Sequence, residues 1–527
     1  MEREYTVIVY NREDLPVLEA ELTASTGDGA IPARRVDIAN SRPGSKIQTH
    51  FALTDDEAEA LRADPRVRAV EIPPDQRDDI QIGLHSTQDA DFRRQTGTNS
   101  GWVNWGLRRC VEQSNIYGNS ATPPTSIYPY AIDGTGVDIV IQDSGIEVGH
   151  PEWEDAGGTT RLQLIDWYTA SGLVGSQSAN HYRDWDGHGT HCAGIAAGKT
   201  YGWAKGAHIY SQKLSGLELD GSTGISITDA FDTIRLWHNN KTNGRPTVVN
   251  MSWGYGATIT TDPTNGVYRG TPWTWNVDYN NRNALFAGVG VTPNWYFNGI
   301  QNFHRIPVRV ASVDAEIEDM ITDGVHVCIA AGNNSYKVDV PGGADYDNTV
   351  TFSGTVRNYH RGSSPYSENA FMVGNIATTP KIDATVYRDR TADSTTRGPG
   401  VNIYAPGTGI MSTCSNINDG YTTAVYPGDT NYLVMSISGT SMAAPQVAGI
   451  CAQYLQSRPE LTPAQLQAVL FADSQSVLYT TGSDTDYDQI STSLVGSPNR
   501  MVYSRYGVAQ PFSAPVANFN NLRIRLT

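Results

Sequence analysis

From about Gly136 onward, short continuous apolar runs at residues 137–141, 207–212, 247–251 and 325–330 share the chain with helical patterns at 226–238, 310–322 and 440–456. A strand covered by helices on both faces has no polar side, so it reads as an unbroken apolar run rather than an alternation. Helices lying between such strands return the chain to the starting edge, which makes the strands parallel and the crossovers right-handed. The pattern predicts an α/β domain with a doubly wound, mostly parallel sheet. In sheets of this kind the functional crevice opens at the C-terminal ends of the strands.

Residues 1–75 read differently. Strand candidates at 5–10, 35–38, 46–51 and 67–72 enclose a helix at 15–22 and a second helix that starts at Thr54 and runs to about Ala63. Thr54 and Glu57 form a capping-box pattern at that start, and Pro73-Pro74 stops the last strand. The order β-α-β-β-α-β is that of a small ferredoxin-like α+β unit. Residues 76–103 read as a linker, polar and turn-rich, and 104–527 as the larger domain. Inside it, about 255–305 breaks the strand–helix rhythm with Trp273, Trp275, Trp295, Tyr296 and Phe297 among Asn, Thr and Gly. It reads as a long ordered loop or small insertion. The chain after about 475 is polar and then weakly strand-like.

A net charge of -17 argues against a nucleic-acid binder, which would carry a basic face. No apolar run approaches the ~20 residues of a membrane span. The first ten residues lack the pattern of a secretory signal, so the expectation is an intracellular or particle-associated protein unless a signal was removed. Five cysteines in 527 residues, with no Cys/His metal spacing, do not form a disulfide framework, and Cys192, Cys328 and Cys451 fall in core-like segments.

Three stretches then stand in one order: Asp143-Ser144-Gly145, His188-Gly189-Thr190-His191 and Gly439-Thr440-Ser441-Met442-Ala443-Ala444-Pro445. An isolated aspartate after a strand is usually a helix cap, and an isolated Thr-Ser usually an N-cap. Together they supply an acid, a base and a nucleophile in the order Asp, His, Ser. Asp143 follows an apolar strand. His188 opens a helix of small residues, with His191 one turn on as the alternative base, read here as structural. Ser441 heads the last long helix, where the helix dipole and a backbone N–H favour a developing oxyanion. Asn333, in Ala330-Ala331-Gly332-Asn333, follows another buried strand and offers a second oxyanion donor, or else is a turn residue.

On these motifs the chain resembles the subtilisin-like serine proteases (subtilases), over roughly residues 100–470. The resemblance implies a triad of Asp143, His188 and Ser441, with Asn333 completing the oxyanion hole. It implies that Ser252, Trp253 and Gly254 form a strand pairing with substrate main chain, that 214–224, with Gly221 and Gly224, forms the opposing strand, and that Ala330, Ala331 and Gly332 line the primary specificity pocket. Asn104-Trp105-Gly106-Leu107 resembles the opening of the mature domain. The first 75 residues resemble the family's propeptide, an intramolecular inhibitor and folding aid whose C-terminal part threads the cleft. The stretch from Asp64 to Ile72 matches it best, and maturation would fall between about Pro74 and Asn104.

The implied function is an endopeptidase acting on polypeptides, made as a self-processing zymogen and needing no cofactor for its chemistry. Structural calcium is common in the family. Asp484, Asp486 and Asp488 alternate as calcium ligands do but lack the glycine turn of a calcium loop, so a solvated acidic loop is the preferred reading. The alternative function is a protease-fold protein serving as a structural or binding component. Oligomeric state and cleavage preference are not legible.

Overall fold

A computed structural model describes residues 2–24, 34–42, 44–77, 79–84, 87–88, 104–115, 130–217, 224–259, 261–281, 284–285, 288–290, 304–378, 380–383, 386–480 and 494–506. Among them, no helix is long and apolar enough to cross a membrane.

The N-terminal unit is a four-stranded antiparallel sheet. Its order is Ile38–Asn40, Gln48–Leu53, Arg3–Val9, Val67–Glu71, and it carries helices Asp14–Thr23 and Asp55–Arg62. This is the predicted β-α-β-β-α-β topology. The Thr54 hydroxyl accepts from the Glu57 N–H (3.3 Å) and the Glu57 carboxylate from the Thr54 N–H (2.8 Å), so the predicted capping box is formed. The strand predicted at 35–38 is found at Ile38–Asn40. Successive strand side chains point to opposite faces. Tyr5, Val7, Val9, Phe51 and Leu53 therefore join Leu15, Leu18, Ala58 and Leu61 in one core, while Thr6, Gln48 and His50 face the larger domain across a small gap shared with Phe231 and Glu316.

The larger domain is built on seven parallel strands in the order Ile403–Pro406, Phe371–Ile376, His326–Ala330, Thr247–Met251, Asp138–Asp143, His208–Lys213, Leu162–Gln163. The chain starts this sheet centrally at Asp138–Asp143, builds outward on one side, then crosses to Thr247–Met251 on the other. The crevice expected at such a reversal lies beyond Asp143 and Met251. Helix Thr440–Ser457 is buried from Thr440 to Leu455, and the flanking helix His188–Ala197 is buried along its whole length. Their small residues, such as Ala443, Ala444 and Ala193, allow this central position.

Three expectations change. The linker contains strands, Gln81–Leu84 and Thr87–Gln88. The described residues of the aromatic stretch include β-strands rather than loop alone. Trp253–Ile259 pairs with His304–Pro307, and Asn265–Tyr268 and Thr271–Thr274 join Thr349–Phe352 and Thr355–Asn358 in a separate antiparallel sheet. Trp273 is buried there, whereas Trp295, Tyr296 and Phe297 lie outside the described residues. A helix at Pro463–Asp473 occupies a stretch in which no element was expected. All five cysteines are free and buried.

The two units meet through charge. Arg42 donates to Asp232 (3.1 Å) and to Glu316 (2.6 Å), Arg12 donates to Asp319 (3.1 Å), and Lys46 pairs with Asp323. The acceptors sit on and beside helices Ile227–Asn240 and Ala311–Thr322, where Arg235 is bonded to Asp232 and Asp323. Burial, reinforced by the Asp232 carboxylate, pushes the Glu316 carboxyl upward, so this cluster depends on the arginines that face it. Glu71, ending the last strand of the N-terminal sheet, accepts from the N–H groups of Ala311 (3.2 Å) and Ser312 (2.7 Å).

Candidate active site

Asp143 is the last residue of the central strand and is fully buried. One of its oxygens accepts from the Ser144 N–H (2.8 Å) and lies 2.8 Å from Nδ1 of His188, the first residue of its helix. This contact fixes the tautomer and leaves Nε2 free; that atom is buried and has no hydrogen-bond partner. Burial alone would lower the His188 pKa, but the Asp143 carboxylate overrides it and holds the imidazole well above its ordinary 6.5. The close approach depends on Gly189, where a Cβ would lie 2.2 Å from the Gly145 carbonyl oxygen.

Asp184 and Asp186 hold the turn before His188, a role the sequence reading missed. Asp184 accepts from the Ser144 hydroxyl (3.0 Å) and from the N–H groups of Asp186 (3.0 Å), Gly187 (2.8 Å) and Thr190 (2.9 Å). Asp186 accepts from the His188 N–H (3.0 Å). The only signal was two carboxylates within four residues of His188, which also fits an ordinary turn. His191 points away from the crevice, with Nε2 at 3.0 Å from the Ile410 carbonyl. Burial, with His188 nearby, pushes its pKa down to about 3.

Ser441, second residue of its helix, donates to the Ser252 carbonyl (3.0 Å), and the Ser252 hydroxyl donates to the Ser441 carbonyl (3.1 Å). The two segments are locked face to face, with Asn250 Nδ2 supporting the Ser252 hydroxyl at 2.9 Å. Cys192 lies below, 3.4 Å from the Ser441 carbonyl and 3.8 Å from His188 Nδ1, so Ser441 and His188 rest on one thiol.

The Asn333 side-chain oxygen accepts from the Thr440 N–H (2.9 Å) and hydroxyl (3.0 Å). This orients the amide and leaves Nδ2 buried without a partner. The neighbouring Ala330, Ala331 and Gly332 are buried, with Ala331 N–H on the Val373 carbonyl (3.0 Å) and Gly332 N–H on the Thr440 hydroxyl (3.1 Å). The structure thus brings Asn333 to the Ser441 helix, and Asp143 to His188.

The strand expected to hold substrate is occupied by the chain itself. Trp253, Gly254, Tyr255 and Gly256 pair antiparallel with Leu84, Gly83, Ile82 and Gln81. Beyond Ser441, Ser438 and Ile437 pair antiparallel with Thr87 and Gln88. The stretch from Asp64 to Ile72, expected as the best match to a cleft-threading propeptide, does not occupy the cleft; its residues Val67–Glu71 are the edge strand of the N-terminal sheet. Trp253 anchors its strand by burying its ring and donating to Gln142 (3.2 Å). On the opposing side Leu214 bridges Ile225, and a Cβ on Gly224 would lie 2.4 Å from the Leu214 carbonyl carbon, so only glycine fits. Gly221 lies outside the described residues, as do Asp484, Asp486 and Asp488.

Asn104 caps helix Trp105–Arg109 and exchanges two hydrogen bonds with Gln446 of the Ser441 helix (3.1 and 2.7 Å). Among the described residues, the one group of three acidic, histidine or cysteine ligand atoms close enough to hold an ion is Asp143, His188 and Cys192. Two of those atoms are already engaged in the 2.8 Å Asp143–His188 hydrogen bond.

The chain is similar in sequence to several known proteinases. Proteinase R of Parengyodontium album is 28% identical over 403 residues, covering 76% of this chain and 70% of that protein. The extracellular serine proteinase of Thermus sp. (strain Rt41A) is 24% identical, covering 88% and 83%. A cold-adapted subtilisin-like serine proteinase of known structure aligns with TM-score 0.46 at 22% identity, covering 76% of this chain and 98% of that one. The model of the subtilase family matches residues 134–496, more than half of the chain. The chain belongs to the subtilase family, the subtilisin-like serine proteases.

Proposed function

We propose that this subtilase is an endopeptidase made as a self-processing zymogen, with Asp143, His188 and Ser441 as its triad. Ser441 Oγ adds to the carbonyl carbon of the scissile bond, and its proton passes to His188 Nε2. Asp143 orients the imidazole and stabilises the imidazolium. Asn333 Nδ2 donates to the oxyanion. His188 then returns the proton to the departing amine, and water hydrolyses the ester on Ser441. A polypeptide substrate would lie antiparallel to Trp253–Gly256, with Ala330, Ala331 and Gly332 beside its specificity side chain, and no cofactor takes part. The N-terminal unit acts as an intramolecular inhibitor, because its C-terminal extension fills the strand position a substrate needs.

The observation that carries this reading is the buried Asp143–His188 pair at 2.8 Å, joined to Ser441 through Cys192. In the resting state the Ser441 hydroxyl rests on Ser252 rather than on His188, as free catalytic groups often do before substrate aligns them. Labelling of the processed protein by a fluorophosphonate tests it. Modification at Ser441, absent in Ser441→Ala, supports the triad. Folded, unlabelled protein would favour the structural or binding role instead.

A further inference from the structure

Gly187 precedes the helix His188–Ala197 and has no side chain to cap it, so the first N–H groups of that helix need acceptors from elsewhere. Three side chains supply them. The His188 N–H goes to Asp186 (3.0 Å), the Gly189 N–H to the Ser144 hydroxyl (2.9 Å) and the Thr190 N–H to Asp184 (2.9 Å). The Ser144 hydroxyl in turn donates to Asp184 (3.0 Å). Asp184 therefore grips the helix twice, directly at Thr190 and through Ser144 at Gly189. Ser144 is also the residue whose N–H bonds the Asp143 oxygen that meets His188 Nδ1. That oxygen carries both contacts, while the other Asp143 oxygen is buried without a hydrogen-bond partner. One carboxylate thus ties the strand end that holds Asp143 to the helix start that holds His188.

Asp184 is itself buried, and five groups donate to its two oxygens: the N–H groups of Asp186, Gly187 and Thr190 and the hydroxyls of Ser144 and Thr190. An asparagine has the same shape but one acceptor oxygen, and its NH2 would face N–H donors. Main-chain contacts at the same turn do not depend on the carboxylate. The Ile146 N–H donates to the Tyr182 carbonyl (2.8 Å) and the Ser415 hydroxyl to the Asp184 carbonyl (2.8 Å), so the turn keeps its place when the side chain changes.

We propose that Asp184 is a positioning residue for the reaction: through Ser144 and Thr190 it sets the approach of His188 to Asp143. The inference rests on the triad reading above and adds a group outside the three. A displacement of about 1 Å at a reacting group can cost roughly 100-fold in rate, so a loosened helix start is felt at His188 Nε2. The test compares Asp184→Asn, Ser144→Ala and the double variant with the processed wild type. It reads kcat and KM on a chromogenic peptide, a melting curve, and the proton resonance of His188 Nδ1–H. Asp184→Asn should lose roughly 10- to 100-fold in kcat with KM within about threefold of wild type, and its Nδ1–H resonance should shift. Ser144→Ala, the milder change, should lose roughly three- to tenfold. The double variant should lose less than the product of the two, because Ser144 acts through Asp184. A lowered melting temperature with kcat and the resonance unchanged would make Asp184 structural only and overturn the proposal, and so would fully multiplicative losses. If Asp184→Asn does not fold, Ser144→Ala decides by the same readings. Wild-type protein that neither hydrolyses peptides nor is labelled at Ser441 would sink the triad reading instead, while the Nδ1–H resonance would still report whether Asp184 sets the Asp143–His188 pair.

Discussion

Asn333 gives the sharpest separation between a catalytic and a structural side chain at this site. Its oxygen carries two hydrogen bonds from Thr440, at 2.9 and 3.0 Å, while its buried Nδ2 carries none. A buried donor without a partner costs on the order of 1–3 kcal/mol in the resting state. In the proposed mechanism that cost is recovered when an oxyanion forms within reach, so the stabilisation belongs to the transition state rather than to bound substrate. Removal of one such donor costs about 2.7–4 kcal/mol, or roughly 100- to 1,000-fold in kcat. Asn333→Ala in the processed enzyme should therefore lose kcat by that factor with KM nearly unchanged. It should also lose some thermal stability, because the Thr440 N–H loses its acceptor. Asn333→Asp separates the two effects. It keeps an acceptor for Thr440 but places an anion where the donor stood, so it should retain more stability than Asn333→Ala while losing at least as much rate. The assay is kcat and KM on a chromogenic peptide, normalised by active-site titration, beside a melting curve. A kcat within about threefold of wild type, or a loss carried by KM alone, would refute the assignment.

Three further outcomes follow from the geometry. In the proposed mechanism His188 is neutral when it accepts the serine proton, and its pKa is raised above 6.5; kcat/KM should fall as pH drops through that raised value. In Asp143→Asn the charge that raises the pKa is gone and only burial remains, so the acid limb should move to lower pH while the rate falls by about 10⁴-fold; an unmoved limb in a pH–rate profile would contradict this. Gly189→Ala forces a Cβ onto the Gly145 carbonyl oxygen, which should destabilise the fold by about 1–3 kcal/mol and separate His188 from Asp143, read by calorimetry and residual activity. In the uncleavable Ser441→Ala background, Arg42→Met strips one of the two arginines bonded to Asp232. Breaking a buried ion pair costs about 3–5 kcal/mol, with the lower end expected because Arg235 remains; an unchanged melting curve would show that the interface charges contribute nothing.

The parts of the fold legible in the sequence are those where one physical signal dominated. The strand Thr247–Met251 is apolar, buried and found at the predicted residues, and Thr54 with Glu57 marked a helix start through local hydrogen bonding alone. The strand Phe371–Ile376 escaped notice because Gly374 and Asn375, ordinarily turn residues, sit inside it; the glycine is needed because the Tyr404 ring lies where a Cβ would be. Leu162–Gln163 is too short to show any period. The candidate site residues Asp143, His188 and Ser441 drew notice in the sequence because each stands at or next to an element end, with Asn333 three residues beyond the strand His326–Ala330. The cleft segment Gln81–Leu84 did not, because main-chain pairing leaves no requirement on residue type and so no trace in the sequence.

The helix Ala311–Thr322 has Asp314 well placed in its first turn, but its second half is polarised against its own dipole. Its preceding residue, Val310, offers no side-chain cap, its last turn has no basic residue, and Glu316, Glu318, Asp319 and Asp323 gather toward the negative end. What corrects both ends comes from outside: Glu71 at the start, and Arg42, Arg12 and Lys46 near the finish. The core of the N-terminal unit lies within its first 70 residues, and Ala315 of this helix joins it. In the full chain this helix therefore has its complementary charges supplied by the N-terminal unit. A chain without the N-terminal unit must form the helix against its charges, and this is the segment whose hydrogen-exchange protection should appear last on refolding.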